Sequence, residues 1–360
     1  MTSIAKPPVR HRALPTNALG LTRRDYEGAM STLCAGCGHD SVTAAIVQAC
    51  WELDVAPHTL AKLSGIGCSS KTTAYFVKQA HGFNSVHGRM PSVATGANAA
   101  NRHLVCVGVS GDGDSLSIGL GQLCHAVGRN VRLTYILENN GVYGLTKGQF
   151  SASADVGSTS KRGAKNVQPP IDPVLLALTL GATFVARSFS GDKRQLVPIL
   201  KAALRHDGLA LVDVISPCVS FNDHEGSTKS YRYTREHAGH VTEIDFLDAE
   251  DVTGLVPLRR QIAAEGDAGA ALDVPMHDGT VVRFRAVDEA YDPTDRAAAY
   301  AHVRALRDRG EIATGLLFVD PAAPSLHEVH GTVEPPLATV PHEALCPGRA
   351  ALDAYMDELR

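Results

Sequence analysis

The sequence predicts an α/β fold with a mostly parallel sheet and helices on both of its faces. Three observations point there. Between about residues 40 and 218 short apolar runs alternate with helical patterns, which is the signature of strands joined by crossover helices. Residues 104–110 (LVCVGVS) and 131–137 (VRLTYIL) are near-continuous apolar runs, as strands buried on both faces require. The unusual residues gather where these runs end, which in parallel sheets is where ligands sit.

In chain order, residues 40–53 (DSVTAAIVQACWEL) read as a helix, with apolar positions recurring at three and four. Residues 59–67 read as a short strand ending in a glycine-bounded turn, and 70–80 as a helix. Strand 104–110 is followed by a helical stretch over 116–127, despite Gly119 and Gly121, and then by strand 131–137. Residues 172–180 are a helix with Pro173 in its first turn. A strand over 183–186, a helix over 193–205 and a last strand over 210–215 (ALVDVI) complete the alternation. Four loops leave these strands: 65–70, 111–115, 138–147 and 217–223. Beyond about 240 the chain is rich in Ala, Asp, Arg and Pro, with an amphipathic helix at 294–309 and a strand-like 280–284. The expected division is an N-terminal arm over 1–29, a ligand-binding domain over 30–240 and a C-terminal extension over 241–360, read as appended to the domain. No repeat or low-complexity tract interrupts it.

With 360 residues, 44% hydrophobic and 20% charged, the composition is that of an ordinary globular protein with a large core. A net charge of −4 argues against a nucleic-acid or membrane-surface partner. No apolar run approaches the roughly 20 residues that cross a bilayer. The opening MTSIAKPPVRHR is basic but lacks an apolar segment behind it, so it reads as a draped or mobile arm rather than a secretory signal. A cytoplasmic location is the expectation. Eight cysteines in such a chain are core thiols or metal ligands rather than a disulfide framework.

The run LVCVGVS leads into Gly111-Asp112-Gly113-Asp114-Ser115, and a helical stretch follows. Glycines there let backbone N–H groups approach a phosphate, and a helix N-terminus adds its dipole. An aspartate inside such a loop would repel the phosphate unless a cation lies between, so Asp112 reads as a Mg²⁺ ligand bridging to a diphosphate. The next strand ends in Glu138-Asn139-Asn140-Gly141-Val142-Tyr143-Gly144. Parallel neighbours bring these loops together, so the Asn140 side chain and the Val142 carbonyl can complete an oxygen shell. Alone, Gly-Asp-Gly is also ordinary turn chemistry. With the Asn pair one strand later it resembles the thiamine-diphosphate fingerprint of transketolases, decarboxylases and oxoacid oxidoreductases.

Cys34 and Cys37 form a C-x-x-C in LCAGCGHD, Cys68 lies in GIGCSSK and Cys218 in SPCVSFND, the last two in strand-exit loops. Four thiolates suit an iron–sulfur cluster, and the residues alone leave open a four-cysteine zinc site or four unrelated thiols. Cys50, Cys106 and Cys124 fall in apolar patterns and read as core residues, and Cys346 has no partner pattern. CAGCGH, GIGCSSK, HGRMPSVATG, GDGDSLSIG, NNGVYGLTKGQ and PCVSFND occur in this order. Together they resemble the β subunit of 2-oxoacid:ferredoxin oxidoreductases, closest to the two-subunit 2-oxoglutarate type, over about residues 30–230.

The resemblance implies the diphosphate-binding domain of a thiamine fold, and with it a ligand set. Cys34, Cys37, Cys68 and Cys218 bind one [4Fe-4S] cluster, and Asp112, Asn140 and Val142 bind Mg²⁺. Ile66, Gly67, Cys68, Ser69, His87, Gly88, Gly111, Asp112, Gly113, Asp114, Asn140, Val142, Gly144 and Leu145 hold thiamine diphosphate. As catalytic lysines, Lys71 steadies the cofactor and Lys147 serves coenzyme A. Without the family, His87 reads equally as a loop histidine and the two lysines as solvated. The implied reaction converts a 2-oxoacid, 2-oxoglutarate before pyruvate or a branched-chain acid, to its acyl-CoA and CO₂ with electrons leaving to ferredoxin. A non-oxidative thiamine decarboxylase or carboligase is the alternative that would not need the cysteines. Thiamine chemistry also needs a carboxylate on the cofactor's aminopyrimidine ring, and no candidate stands out here. The resemblance therefore implies an α subunit that supplies a glutamate, in an (αβ)₂ assembly. No C-x-x-C-x-x-C-x-x-x-C-P run occurs, so no ferredoxin-like domain is expected in this chain.

Overall fold

A computed structural model of the chain describes residues 11, 13–160, 163–247, 271–275, 281–288 and 291–360. Its strands are β1 (Leu60–Ser64), β2 (His81–Asn84), β3 (Val105–Gly111), β4 (Leu133–Asn139), β5 (Val142–Tyr143), β6 (Gln149–Phe150), β7 (Phe184–Phe189), β8 (Leu209–Ile215), β9 (Ala238–His240), β10 (Thr242–Leu247), β11 (Ala271–Pro275), β12 (Val281–Ala286) and β13 (Ile312–Val319). Eight of them form one sheet in the order β2-β1-β3-β4-β8-β7-β13-β9. The first six run parallel, and β13 lies antiparallel to β7. This is the mostly parallel, two-faced α/β architecture expected. No helix among the described residues is long and apolar enough to cross a membrane.

Alternation along the central strands divides the core in two. Leu133, Tyr135 and Leu137 of β4, with Leu209 and Leu211 of β8, belong to one apolar cluster. Ile136, Ala210, Val212 and Val214 belong to the other. Every residue of β4 and β8 is buried, which is why both runs look continuously apolar in the sequence. The helix Gly38–Glu52 seats its first turn on the end of β8: a Cβ on Gly38 would lie 2.5 Å from Ser216 Oγ. That contact places Cys37, its N-cap, beside the β8 exit loop.

Three expectations change. Residues 70–80 are not one helix. A 3-10 helix covers Ser69–Ala74, Val77 takes φ +32°, and β2 follows. The N-terminal segment causes this, because the Val77 N–H donates to Tyr26 O at 2.7 Å and Glu27 bridges to Phe76; tertiary pairing overrides local helical preference. The helical stretch 116–127 is interrupted. A π turn covers Asp114–Ile118 and an α-helix restarts at Leu120, because the backbones of Gly88 and Gly119 approach so closely that a Cβ on Gly119 would sit 2.8 Å from Gly88 Cα. The C-terminal segment is more than an appendage. Its apolar run IATGLLFV is β13, inside the main sheet, and the helix Arg296–Asp308 packs on it. The strand-like 280–284 corresponds to β12, in a three-stranded antiparallel sheet with β10 and β11; Thr280 lies outside the described residues. So do 1–10 and 12 of the N-terminal arm, whose remainder buries Tyr26 against the main body.

Candidate functional site

The loops leaving β1, β3, β4 and β8 meet at the carboxyl end of the sheet. β3 and β4 pair in parallel with Gly111 opposite Glu138, so Asp112 and Asn140 emerge side by side. Asp112 is 1% exposed. Its Oδ2 accepts from Gly141 N at 3.0 Å, from Ser153 Oγ at 2.6 Å and from Ser151 Oγ. Among the described residues its Oδ1 accepts only from Asn140 N, at 3.5 Å. Burial pushes the Asp112 carboxyl above the usual carboxylate range, and these donors only partly oppose it. Asn140 Oδ1 accepts from Val142 N at 3.0 Å, and Asn222 of the β8 loop donates to Asn140 O at 2.8 Å. Asp114 is spent on structure: its carboxylate accepts from Gly88 N at 2.8 Å and from Ser110 Oγ at 3.1 Å.

An open cleft of about 520 Å³ lies over this loop cluster. Ile66, Gly67, Cys68, Ser69, His87, Gly111, Asp112, Gly113, Asp114, Asn140, Val142, Gly144 and Leu145 all line it. Gly88 is buried behind Asp114. Lys71 sits half-buried on the 3-10 helix and Lys147 is exposed on the turn after Gly144 at φ +82°; neither lines the cleft. Ser69 Oγ is buried at the cleft without a hydrogen-bond partner among the described residues.

The four cysteines of the proposed cluster approach the same region. A Cβ on Gly144 would lie 3.5 Å from Cys68 Sγ and 3.6 Å from Cys218 Sγ. Ser220 Oγ donates to Cys34 Sγ at 3.4 Å. Burial pushes the Cys37 thiol up to about 12, with charge on Glu138 and Cys218 adding to it. Cys68 and Cys218 are raised for the same first reason. Among the described residues no three His, Cys, Asp or Glu side chains stand around a point where they could hold a single metal ion. Cys50 and Cys106 are core thiols, whereas Cys124 is part-exposed and Cys346 exposed.

Residues 65–214 match the family described as thiamine pyrophosphate enzyme, C-terminal TPP binding domain. The chain is 44% identical over 191 residues to the 2-oxoacid:ferredoxin oxidoreductase subunit beta of Saccharolobus solfataricus, covering 53% of this chain and 63% of that one. It is 31% identical over 230 residues to the 2-oxoglutarate synthase subunit KorB of Methanocaldococcus jannaschii, covering 62% of this chain and 84% of the relative. The chain belongs to the 2-oxoacid:ferredoxin oxidoreductase β-subunit family. A solved structure, 2-oxoglutarate:ferredoxin oxidoreductase from Magnetococcus marinus with 2-oxoglutarate, coenzyme A and succinyl-CoA bound, superposes with a TM-score of 0.71 at 28% identity, over 93% of this chain and 97% of that one. The matched stretch spans 63% of the Saccharolobus subunit and 51% of the 2-oxoglutarate oxidoreductase subunit KorB of Mycobacterium tuberculosis.

For this β-subunit family member, several site residues were not anticipated. Tyr143 lines the cleft and donates to Gly113 O at 2.9 Å. His39, also lining it, hydrogen-bonds Ser216 Oγ at 2.6 Å and lies 3.5 Å from Glu138; burial pushes its ring down to about 4, so it is neutral. Glu138 is fully buried, accepts from Thr72, and burial pushes its carboxyl well above the usual range. Among the described residues no glutamate lines the cleft. His39 stands inside the quoted CGHD motif, but its meeting with Glu138 depends on folding. Ser151 and Ser153 carry no sequence signal beyond lying after the NNGVYG loop.

Proposed function

We propose that this chain is the β subunit that holds thiamine diphosphate, Mg²⁺ and one [4Fe-4S] cluster in a cytoplasmic 2-oxoacid:ferredoxin oxidoreductase. The enzyme takes 2-oxoglutarate, coenzyme A and two oxidised ferredoxins to the acyl-CoA, CO₂, a proton and two reduced ferredoxins. The observation that carries this is the junction at Cys68. It lines the cleft, and its sulfur and that of Cys218 both lie within 3.6 Å of where a Cβ on Gly144 would sit. One loop therefore belongs to both centres, which suits a reaction whose electrons leave from the carbon just decarboxylated.

The residues present fit both groups. Ser69 Oγ, buried at the cleft and without a partner among the described residues, is a donor placed for a phosphate oxygen. Asp112 Oδ1, nearly free of donors, is placed for a cation. The raised cysteine thiols would become thiolates beside iron. When bound, thiamine diphosphate supplies the electron sink for loss of CO₂ and the cluster a one-electron exit. Asp112, Asn140 and the Val142 carbonyl would hold Mg²⁺. Gly111, Gly113, His87 and the Gly88 loop would cradle the diphosphate, while Ile66, Gly67, Gly144 and Leu145 wall the cofactor. Cys34, Cys37, Cys68 and Cys218 would ligate the cluster. Lys71 would act through its charge beside Cys68, where it opposes the burial that raises that thiol.

An α subunit would supply the glutamate that the aminopyrimidine ring needs, in an (αβ)₂ assembly. The test is an anaerobic assay of ferredoxin reduction by 2-oxoglutarate with and without the α partner. Turnover should require both, and full turnover by this chain alone would overturn the half-site reading. Lys147, on the exposed turn beyond Gly144, is placed for an anionic ligand entering from outside. Lys147→Ala should raise the KM for coenzyme A and leave CO₂ release from the oxoacid intact. A change confined to the oxoacid KM would remove that role.

A further inference from the structure

Asp112 presents two unequal oxygens. Three donors converge on Oδ2: the Gly141 N–H and the hydroxyls of Ser151 and Ser153. Among the described residues Oδ1 receives only the long contact from Asn140 N. Both serines are buried, so water does not compete for these bonds. We propose that Ser151 and Ser153 are positioning residues that saturate one oxygen of Asp112, so that it gives a cation a single oxygen and thereby selects Mg²⁺ over larger divalent ions. The inference rests on the reading of Asp112 as a cation ligand and goes beyond it.

Mg²⁺ demands near-octahedral geometry with one oxygen from each ligand, whereas Ca²⁺ accepts bidentate carboxylates at longer distance. A carboxylate free to rotate serves either ion. One whose second oxygen already accepts three donors cannot turn it to the metal without leaving buried donors unpaired, and each such orphan is costly. The two serines lie just beyond the Val142–Phe150 hairpin, so the segment after β4 brings Asn140, Val142 and the clamp to an Asp112 that leaves β3.

The clamp is itself anchored. Ser153 Oγ also lies 2.8 Å from Asn139 Oδ1, so its one proton is shared between two acceptors. Asn139 Nδ2 donates to Asp213 Oδ1 at 3.0 Å, and Asp213 Oδ2 accepts from Arg187 Nε at 2.7 Å. Arg187 in turn donates to Asp172 Oδ1 at 2.6 Å. This buried chain fixes the Ser153 hydroxyl from behind, and the Asp172 end caps the helix Pro173–Leu180.

The experiment is calorimetric titration of thiamine diphosphate into the metal-stripped enzyme, purified as it assembles in the cell, at graded Mg²⁺ and, separately, graded Ca²⁺. Ser153→Ala should raise the Mg²⁺ requirement about tenfold or more, the range seen when outer-shell partners of metal ligands are removed. The Ca²⁺ requirement should change less, so the preference for Mg²⁺ falls. Ser151→Ala should do the same, and carries the test if Ser153→Ala does not fold. Equal losses for both ions, or no loss, would overturn the clamp. Cation-independent binding in the unmutated enzyme would instead overturn the reading of Asp112.

Discussion

Asp112→Ala should abolish thiamine diphosphate binding while leaving the fold in place. Removing even an outer partner of a metal ligand costs about 10–100-fold in affinity, so removing the ligand itself should cost more than about 100-fold. The native carboxylate is also an expense to the empty protein. It is buried, and desolvation pushes its pKa above the usual carboxylate range, so without a cation its charge is held at a cost. Alanine ends that conflict but leaves Gly141 N, Ser151 Oγ and Ser153 Oγ short of an acceptor, at about 1–3 kcal/mol for each donor that water does not reach. Circular dichroism should therefore show a folded protein of altered stability, and calorimetry should show no cofactor binding. Unchanged affinity would return the Gly-Asp-Gly to the status of a turn.

Cys218→Ser should cost the enzyme the proposed cluster and with it the proposed ferredoxin reduction. A hydroxyl does not replace a thiolate on iron, and a four-thiolate cluster has no spare ligand. Cys218 holds its place through its backbone, whose carbonyl accepts from Asn222 N at 2.9 Å and Phe221 N at 3.1 Å. Those bonds survive the substitution, so the loop, and Asn222 with its bond to Asn140 O, should keep their shape. Thiamine diphosphate binding should persist in a protein depleted of iron. Cys50→Ser is the contrast. Cys50 is fully buried in the apolar core away from the cleft, so that change should lower stability by about 1–3 kcal/mol with iron unaffected. Full iron content in Cys218→Ser would remove it from the ligand set.

The cleft was legible in the sequence to the extent that it is built from strand exits. Parallel pairing of β3 with β4 brings the GDG and NN loops together without further information, and β1 and β8 add GIGCSSK and PCVSFND at the same edge of the sheet. What escaped depends on contacts between distant segments. Glu138 and His39 lie far apart in the chain and meet only because the Gly38–Glu52 helix seats on Ser216. Residues 75–80 resembled a helix until the N-terminal segment paired with Phe76 and Val77. The run IATGLLFV was apolar enough to be a strand, but it follows an Ala- and Asp-rich stretch and joins the sheet antiparallel, outside the βα rhythm that identified the others. Ser151 and Ser153 belong to no motif because their role depends on which oxygen of Asp112 they reach.

The central claim is that one loop couples carbon chemistry in the cleft to an electron exit through the cysteines. The most direct measurement is the visible thiolate-to-iron absorption of the anaerobically purified αβ enzyme on addition of 2-oxoglutarate without ferredoxin. That band should bleach as the cluster accepts an electron, and the bleaching should require Mg²⁺ and thiamine diphosphate and vanish in Asp112→Ala. A colourless protein that contains zinc, or a band that does not change while CO₂ is released, would contradict the account.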